Sequence, residues 1–367
     1  MLKDGKIVLE KYFGSFTQDS IWYWASAGKT LTAFLTGIAQ NQGALNISQS
    51  VTQHLGSGWS SCNMVQEDSI TIKHLLTMTS GLDDIISTCS NEDDSPPCLQ
   101  YHSPVGIRWA YHTGAYRKLQ DILPIAVNTS LNTFTNNSIK NRINMSSGVW
   151  IQDIYFSKTR DAARFGLLCL NKGIWNTDTI LNDTNYFQSM INSSQSQNLS
   201  YGYLTWLNGK PNFMLPSSQL VFNGFICPSA PADMYAALGK NDQKIYIVPS
   251  QKLVVVRFGN EAYSSSLAVT VFDDELWQKI NDLNCTVTSK NYLAEKNYQV
   301  WPNPFYDNIH VLPAKTNIHF VLTNISGQLV YEGKDINQQN FKSLPQGIYL
   351  LKLIEFNQVS FVKLIKN

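Results

Sequence analysis

Charge is scarce in this 367-residue chain. Asp, Glu, Lys and Arg together make 15% of it, where soluble domains average about 25%; Asn, Ser, Gln and Thr take up the difference. The formal net charge is +1, so no basic surplus points to nucleic acid or an anionic membrane as partner. No apolar run approaches the ~20 residues that a membrane-spanning helix needs, and no membrane span is expected. Metal-ligand spacing is missing as well. The six cysteines and six histidines contain no Cys-x-x-Cys and no His pair at zinc spacing, so neither a metal nor another cofactor is expected. Met1-Leu2-Lys3 lacks the apolar core of a signal peptide.

What the chain has is apolar and aromatic material: 43% hydrophobic and 12% Phe, Trp and Tyr, enough for a large core and for two or three domains. Its most informative string is Trp24-Ala25-Ser26-Ala27-Gly28-Lys29-Thr30, followed by Leu31, Phe34, Leu35 and Ile38 at helical spacing. An amphipathic helix is predicted from Lys29 to about Gln42, with Gly43 as its stop. Ser26 and Lys29 then share one helix face, and the amine can reach the hydroxyl. A serine hydroxyl needs such a partner to act as a nucleophile. The bland alternative is a serine N-cap beside a solvated lysine.

Two further strings stand in a telling order: Arg108-Trp109-Ala110-Tyr111-His112-Thr113, and Ala237-Leu238-Gly239-Lys240 before the paired strands predicted over 243–259. Ser-x-x-Lys, then Tyr-x-Asn or Ser-x-Asn, then a Lys/His-x-Gly strand is the three-box order of serine β-lactamases and penicillin-binding proteins. The chain resembles that superfamily over about residues 3–285, and in particular its class-C-like esterases, D-aminopeptidases and amide hydrolases. His74-Leu75-Leu76-Thr77-Met78-Thr79-Ser80-Gly81-Leu82 and Arg164-Phe165-Gly166-Leu167-Leu168 look like its landmarks between the boxes. The resemblance implies an α/β (α+β) fold, a mixed antiparallel sheet flanked by helices with a helical subdomain. It also implies acyl transfer with Ser26 as nucleophile, Lys29 and Tyr111 as the coupled base, and an oxyanion hole formed by the backbone N–H groups of Ser26 and Lys240, just after Gly239. The substrate would be a small ester or amide. A nearby Lys29 cation is expected to lower the Tyr111 phenol's pKa, and burial to lower the amine's.

Two positions depart from the pattern. Thr113 stands where the family has asparagine, and Ala237 where it has lysine or histidine. Loss of that cation argues against β-lactams and terminal peptide carboxylates. A D-amino-acid-specific peptidase, a β-lactamase and an inactive binding protein of the same fold are the competing readings. Lys240 is expected on the opposite sheet face by strand alternation. His112, Asp83 and Asp84 read as structural, while Tyr203 and Trp206 could line a cleft or fill the core.

A β-strand is predicted over residues 5–13, after the Asp4-Gly5 turn. The family has a helix and a strand before this point, so the chain reads as N-terminally truncated. Domain boundaries are expected at 1–285 for the hydrolase, 286–298 for a polar linker and 299–367 for a small β-sandwich with turn signals every 8–12 residues. Trp301-Pro302-Asn303-Pro304, Ser326-Gly327-Gln328, Leu344-Pro345-Gln346-Gly347-Ile348-Tyr349 and the lysine-rich end resemble the C-terminal sorting domain of type IX secretion. That resemblance implies the secretion machinery as partner and a secreted or cell-surface location. In an oxidising compartment Cys89 and Cys98, which bracket a polar Pro-bearing loop, are expected to form a disulfide. Cys169 reads as a buried thiol, and Cys62, Cys227 and Cys285 have no assigned pairing.

Overall fold

Asp4-Gly5, with both residues at positive φ, reverse the chain between β1 (Leu2–Lys3) and β2 (Lys6–Ile7). The strand expected over 5–13 therefore ends at Ile7, and the following residues are largely exposed with no sheet partner to order them. The computed structural model describes residues 1–263, 267–283, 298–312, 317–325, 327–355 and 358–367. Cys285 and all of the expected 286–298 linker except Tyr298 lie outside them.

The described chain falls into two compact units, Met1–Leu283 and Asn284–Asn367. In the first, α1 (Gly28–Asn41) is buried from Gly28 to Ala39. The sequence reading made it amphipathic; instead it is covered all round and runs through the core. Its threonines are accommodated by hydrogen bonds: Thr30 Oγ1 donates to Leu204 O at 2.8 Å, and Thr36 Oγ1 to Thr32 O at 2.9 Å. α2 (Ile72–Leu76) and α3 (Thr113–Ala126) pack together, and α3 also packs on α1. α4 (Thr159–Leu170) lies against the central sheet.

That sheet is antiparallel and six-stranded among the described residues. It is built from β1, β2, β3 (Trp206–Leu207), β4 (Tyr235–Gly239), β5 (Gln243–Val248) and β6 (Leu253–Arg257) in the order β2-β1-β6-β5-β4-β3. Every residue of β4 and β5 is buried, and apart from Gln243 and Lys244 at the start of β5 these strands do not alternate apolar with polar residues. α5 (Val271–Leu283) sets Trp277 edge-on to Tyr246 of β5, with ring centroids 5.8 Å apart.

The second unit is all β among its described residues, apart from a short 3₁₀ turn at Ile336–Gln338. β7 (Gln299–Trp301) pairs with β8 (His310–Leu312). β9 (Ile318–Asn324), β10 (Leu329–Gly333), β11 (Gly347–Glu355) and β12 (Gln358–Lys366) form a sheet in the order β10-β9-β11-β12. Val311 of β8 shares one core with Phe320, Leu322, Leu351, Leu353 and Leu364, giving the expected small sandwich. Asn303 clasps β12 by donating to Lys363 O at 2.8 Å and accepting from Ile365 N at 2.9 Å. Tyr349 Oη donates to Pro345 O at 2.8 Å.

Candidate active site

Ser26 sits in a single 3₁₀ turn, Ala25–Ala27, between the strand Ile21–Tyr23 and the start of α1. Ala25, immediately before it, has φ +47°, a left-handed conformation that costs a non-glycine residue about 1 kcal/mol or more. Trp24 holds the turn in place. It is fully buried, its N–H donates to Tyr155 O at 2.8 Å, and its indole Nε1 donates to Ser157 Oγ at 2.8 Å. Gly239, the last residue of β4, presses against the same turn. A Cβ there would lie 2.5 Å from Trp24 O, 3.0 Å from Ala27 N and 3.1 Å from Ser26 N.

Lys29 Nζ donates to Ser26 Oγ at 3.1 Å. The ammonium lies 5.1 Å from the ring centroid of Tyr111 and 4.5 Å from that of Tyr116, and only 4% of the residue is exposed. Burial pulls its pKa from 10.5 down to about 7, with the Glu92 carboxylate opposing. For Tyr111 the outcome is the reverse of the sequence expectation. Burial raises the phenol's pKa above 10, and its hydrogen bond with Ser26 opposes this only in part. The phenol is therefore neutral, and Lys29 is the group poised near neutrality. Tyr111 is stacked on Trp206, with ring centroids 6.1 Å apart and planes at 22°; Trp206 backs the site from the core. Tyr203 packs on Tyr186 at 5.3 Å. Tyr116, which the sequence reading passed over, bonds Thr32 Oγ1 at 2.8 Å and forms the second wall around Lys29.

Tyr111 is carried by the approach to α3. His112 caps that helix by accepting from Ala115 N on Nδ1 at 3.3 Å, the structural role expected of it. Asp84 pairs with Arg108, and Asp83 accepts from Ile85 N at 3.0 Å. Cys89 and Cys98 are joined in a disulfide, and the loop they close supplies two residues that the motifs did not single out. Asn91 donates through Nδ2 to Tyr111 O at 3.1 Å and accepts from Thr113 N on Oδ1 at 3.0 Å. Thr113 thus enters through its backbone as the first residue of α3, and Asn91 is spent on fastening this segment. Glu92 accepts from Lys240 Nζ at 3.1 Å.

Lys240 contradicts its expected orientation. It lies in the turn after β4, where strand alternation no longer applies, and it reaches toward Glu92 and the Lys29 environment. Ala237 is fully buried. Asn241 and Asp242 complete the turn at φ +58° and +59°. The turn is fastened from beneath by Lys244 on β5, fully buried, whose Nζ lies 3.0 Å from Asp273 Oδ2 and 3.5 Å from Asp242 Oδ1 and donates to Ala268 O at 2.6 Å. Asp273, on α5, also accepts from Tyr246 Oη and Thr270 N. Cys169 and Cys227 are buried free thiols, and Cys62 is a half-buried one.

Two parts of the chain match known families. Residues 1–147, which hold the first two boxes, match the beta-lactamase family model, and residues 299–367 match that of the secretion system C-terminal sorting domain. No curated protein matches the chain. Among solved structures, a beta-lactamase described as putative from Bacteroides dorei DSM 17855 is 15% identical, with TM-score 0.59, over 77% of this chain and 91% of that one. A 6-aminohexanoate-dimer hydrolase, again so described, from Bacillus anthracis is 17% identical, with TM-score 0.58, over 77% and 76%. The octameric penicillin-binding protein homologue from Pyrococcus abyssi is 14% identical, with TM-score 0.54, over 98% and 84%. At these identities the likeness is one of fold, and it extends past residue 147 to include the central sheet. The chain carries a β-lactamase-family domain in the fold shared with penicillin-binding proteins, and it ends in a type IX secretion sorting domain, the mark of a protein that is secreted or displayed at the cell surface.

Proposed function

We propose that the first unit is a serine hydrolase that cleaves esters or small amides through an acyl-enzyme on Ser26. The observation that carries this reading is the 3.1 Å contact between Ser26 Oγ and the buried Lys29 amine, whose pKa lies near 7. Neutral Lys29 takes the Ser26 proton as Oγ attacks the carbonyl carbon. The resulting oxyanion is received by the backbone N–H groups of Ser26 and Lys240, a role that the close approach of Gly239 to the Ser26 turn supports. Collapse expels the alcohol or amine, which takes its proton from the Lys29 ammonium, with the neutral Tyr111 phenol as donor and relay. Water then attacks the ester on Ser26 and loses a proton to Lys29; the second tetrahedral intermediate collapses, the acid leaves, and Ser26 Oγ takes its proton back from the Lys29 ammonium. The fully buried Ala237 offers no cation at that point of β4, which supports esters and amides over β-lactams.

The test is turnover of p-nitrophenyl esters, small amides and a chromogenic cephalosporin by the full chain, with Ser26→Ala alongside. Ester or amide turnover that disappears in Ser26→Ala, together with a phosphonate adduct on Ser26, is expected. A folded protein with neither turnover nor adduct would overturn the proposal in favour of a binding protein.

A further inference from the structure

The mouth of the site is crossed by an ion pair that the proposed chemistry does not use. Glu92 comes from the disulfide-closed loop, one residue after Asn91, which grips the Tyr111–Thr113 segment. Lys240 comes from the opposite side, one residue after Gly239, which abuts the Ser26 turn. Their 3.1 Å contact therefore spans from the second box to the third. Arg117 on α3 lies 3.8 Å from the same carboxylate and 2.9 Å from Asp153. Asp94, two residues on from Glu92, is taken by Lys118 at 2.8 Å. Glu92 is the strongest of the charges that act on Lys29 and raises its pKa; Arg117 and Lys240 lower it, and Asp153 raises it. Glu92 and Lys240 are about half exposed.

We propose that Glu92 sets the charge preference of the site. By occupying Lys240 and Arg117 it makes the mouth admit uncharged acyl groups and turn away acyl groups that carry a carboxylate. A carboxylate entering beside Ser26 must either displace Glu92 from both cations or lie against it, and like charges brought together across a recognition surface discriminate strongly. With Glu92 neutral, Lys240 loses its carboxylate while Arg117 keeps Asp153 at 2.9 Å, so a free cation faces the site and the preference reverses. This proposal rests on the reading of Ser26 as the reacting centre, and it assigns to that centre a substrate class: neutral esters and amides.

The experiment compares p-nitrophenyl butyrate with mono-p-nitrophenyl glutarate, which share a leaving group and differ by one carboxylate. The wild type is expected to prefer the butyrate. In Glu92→Gln the glutarate-to-butyrate ratio of kcat/KM should rise about fivefold or more, through KM. In Glu92→Gln/Lys240→Met that gain should vanish. A ratio within twofold of wild type in Glu92→Gln, or a gain that survives removal of Lys240, would overturn the proposal. Binding of butyramide and glutaramate followed by ligand-observed NMR gives the same comparison without turnover. Absence of turnover and of a Ser26 adduct would therefore sink the hydrolase reading, while tighter glutaramate binding by Glu92→Gln, or its absence, still decides the role of Glu92.

Discussion

Gly239→Ala is the sharpest test of how the site is built. The added methyl would meet Trp24 O at 2.5 Å, Ala27 N at 3.0 Å and Ser26 N at 3.1 Å. Carbon and its neighbours pack at about 3.5 Å or more, so the worst overlap is roughly 1 Å. All three contacts are backbone atoms, and no side chain can swing away to relieve them. β4 is hydrogen-bonded on both edges, to β3 and to β5, and the Ser26 turn is pinned by both hydrogen bonds of Trp24. One of the two must move by about the overlap, and either movement separates Ser26 N from the backbone after residue 239. A displacement of that size costs about 100-fold in rate, near 2.7 kcal/mol, and overpacking of this kind costs about 1–3 kcal/mol in stability. The assay is kcat/KM on p-nitrophenyl butyrate with a thermal melt, and phosphonate titration to count reactive Ser26. A variant that melts like wild type and retains kcat/KM within threefold would refute the close approach and the oxyanion site built on it.

Two further outcomes follow from the same geometry. Because Lys29 must be neutral to accept the proton, kcat/KM should fall tenfold per pH unit below about 7 and level off above it; a midpoint near 10 would remove Lys29 from the role of base. The sign for stability is the same. Between pH 7 and 10.4 the unfolded chain holds a proton on Lys29 that the folded chain lacks, so that residue's contribution to stability should rise with pH across this interval, as denaturant titrations at several pH values would register. Replacing Cys89 and Cys98 by serine should cost about 2–3 kcal/mol of stability. It should also lower kcat/KM, since the loop carries the Asn91 grip on Tyr111 and Thr113. Activity that persists unchanged in the double serine variant would separate the loop from the site.

The sequence made the first two boxes legible because their chemistry is local. Ser26 and Lys29 are one helical step apart, and Tyr111 lies in a run of aromatic residues next to a helix start. The α1 boundaries and the β5–β6 pair were legible as well, as apolar runs with turn residues at their ends. What escaped was set by distant contacts. Nothing in the neighbourhood of Glu92 announces Lys240, 148 residues away, and Tyr116 is a wall of the site only because α3 crosses α1. Lys240 was misdirected by applying strand alternation one residue past the end of the strand. The phenol of Tyr111 was misjudged because the neighbouring cation is visible in sequence and the depth of burial is not. The strand expected over 5–13 overran because β1, its partner, begins at Leu2: past the bonds of Val8 and Leu9 to Met1 there is no strand among the described residues for it to pair with.

The buried Lys244 has a consequence for the order in which the unit can be completed. Its charge is deep in the sheet and is answered chiefly by Asp273, on the helix that closes the first unit. An uncompensated charge in such a place costs several kcal/mol. On a chain emerging from the ribosome N-terminus first, Lys244 appears well before Asp273, and the turn bearing Lys240 cannot be secured until α5 arrives. The first 260 residues thus hold every group proposed for the chemistry, yet they are waiting for a helix that touches none of them.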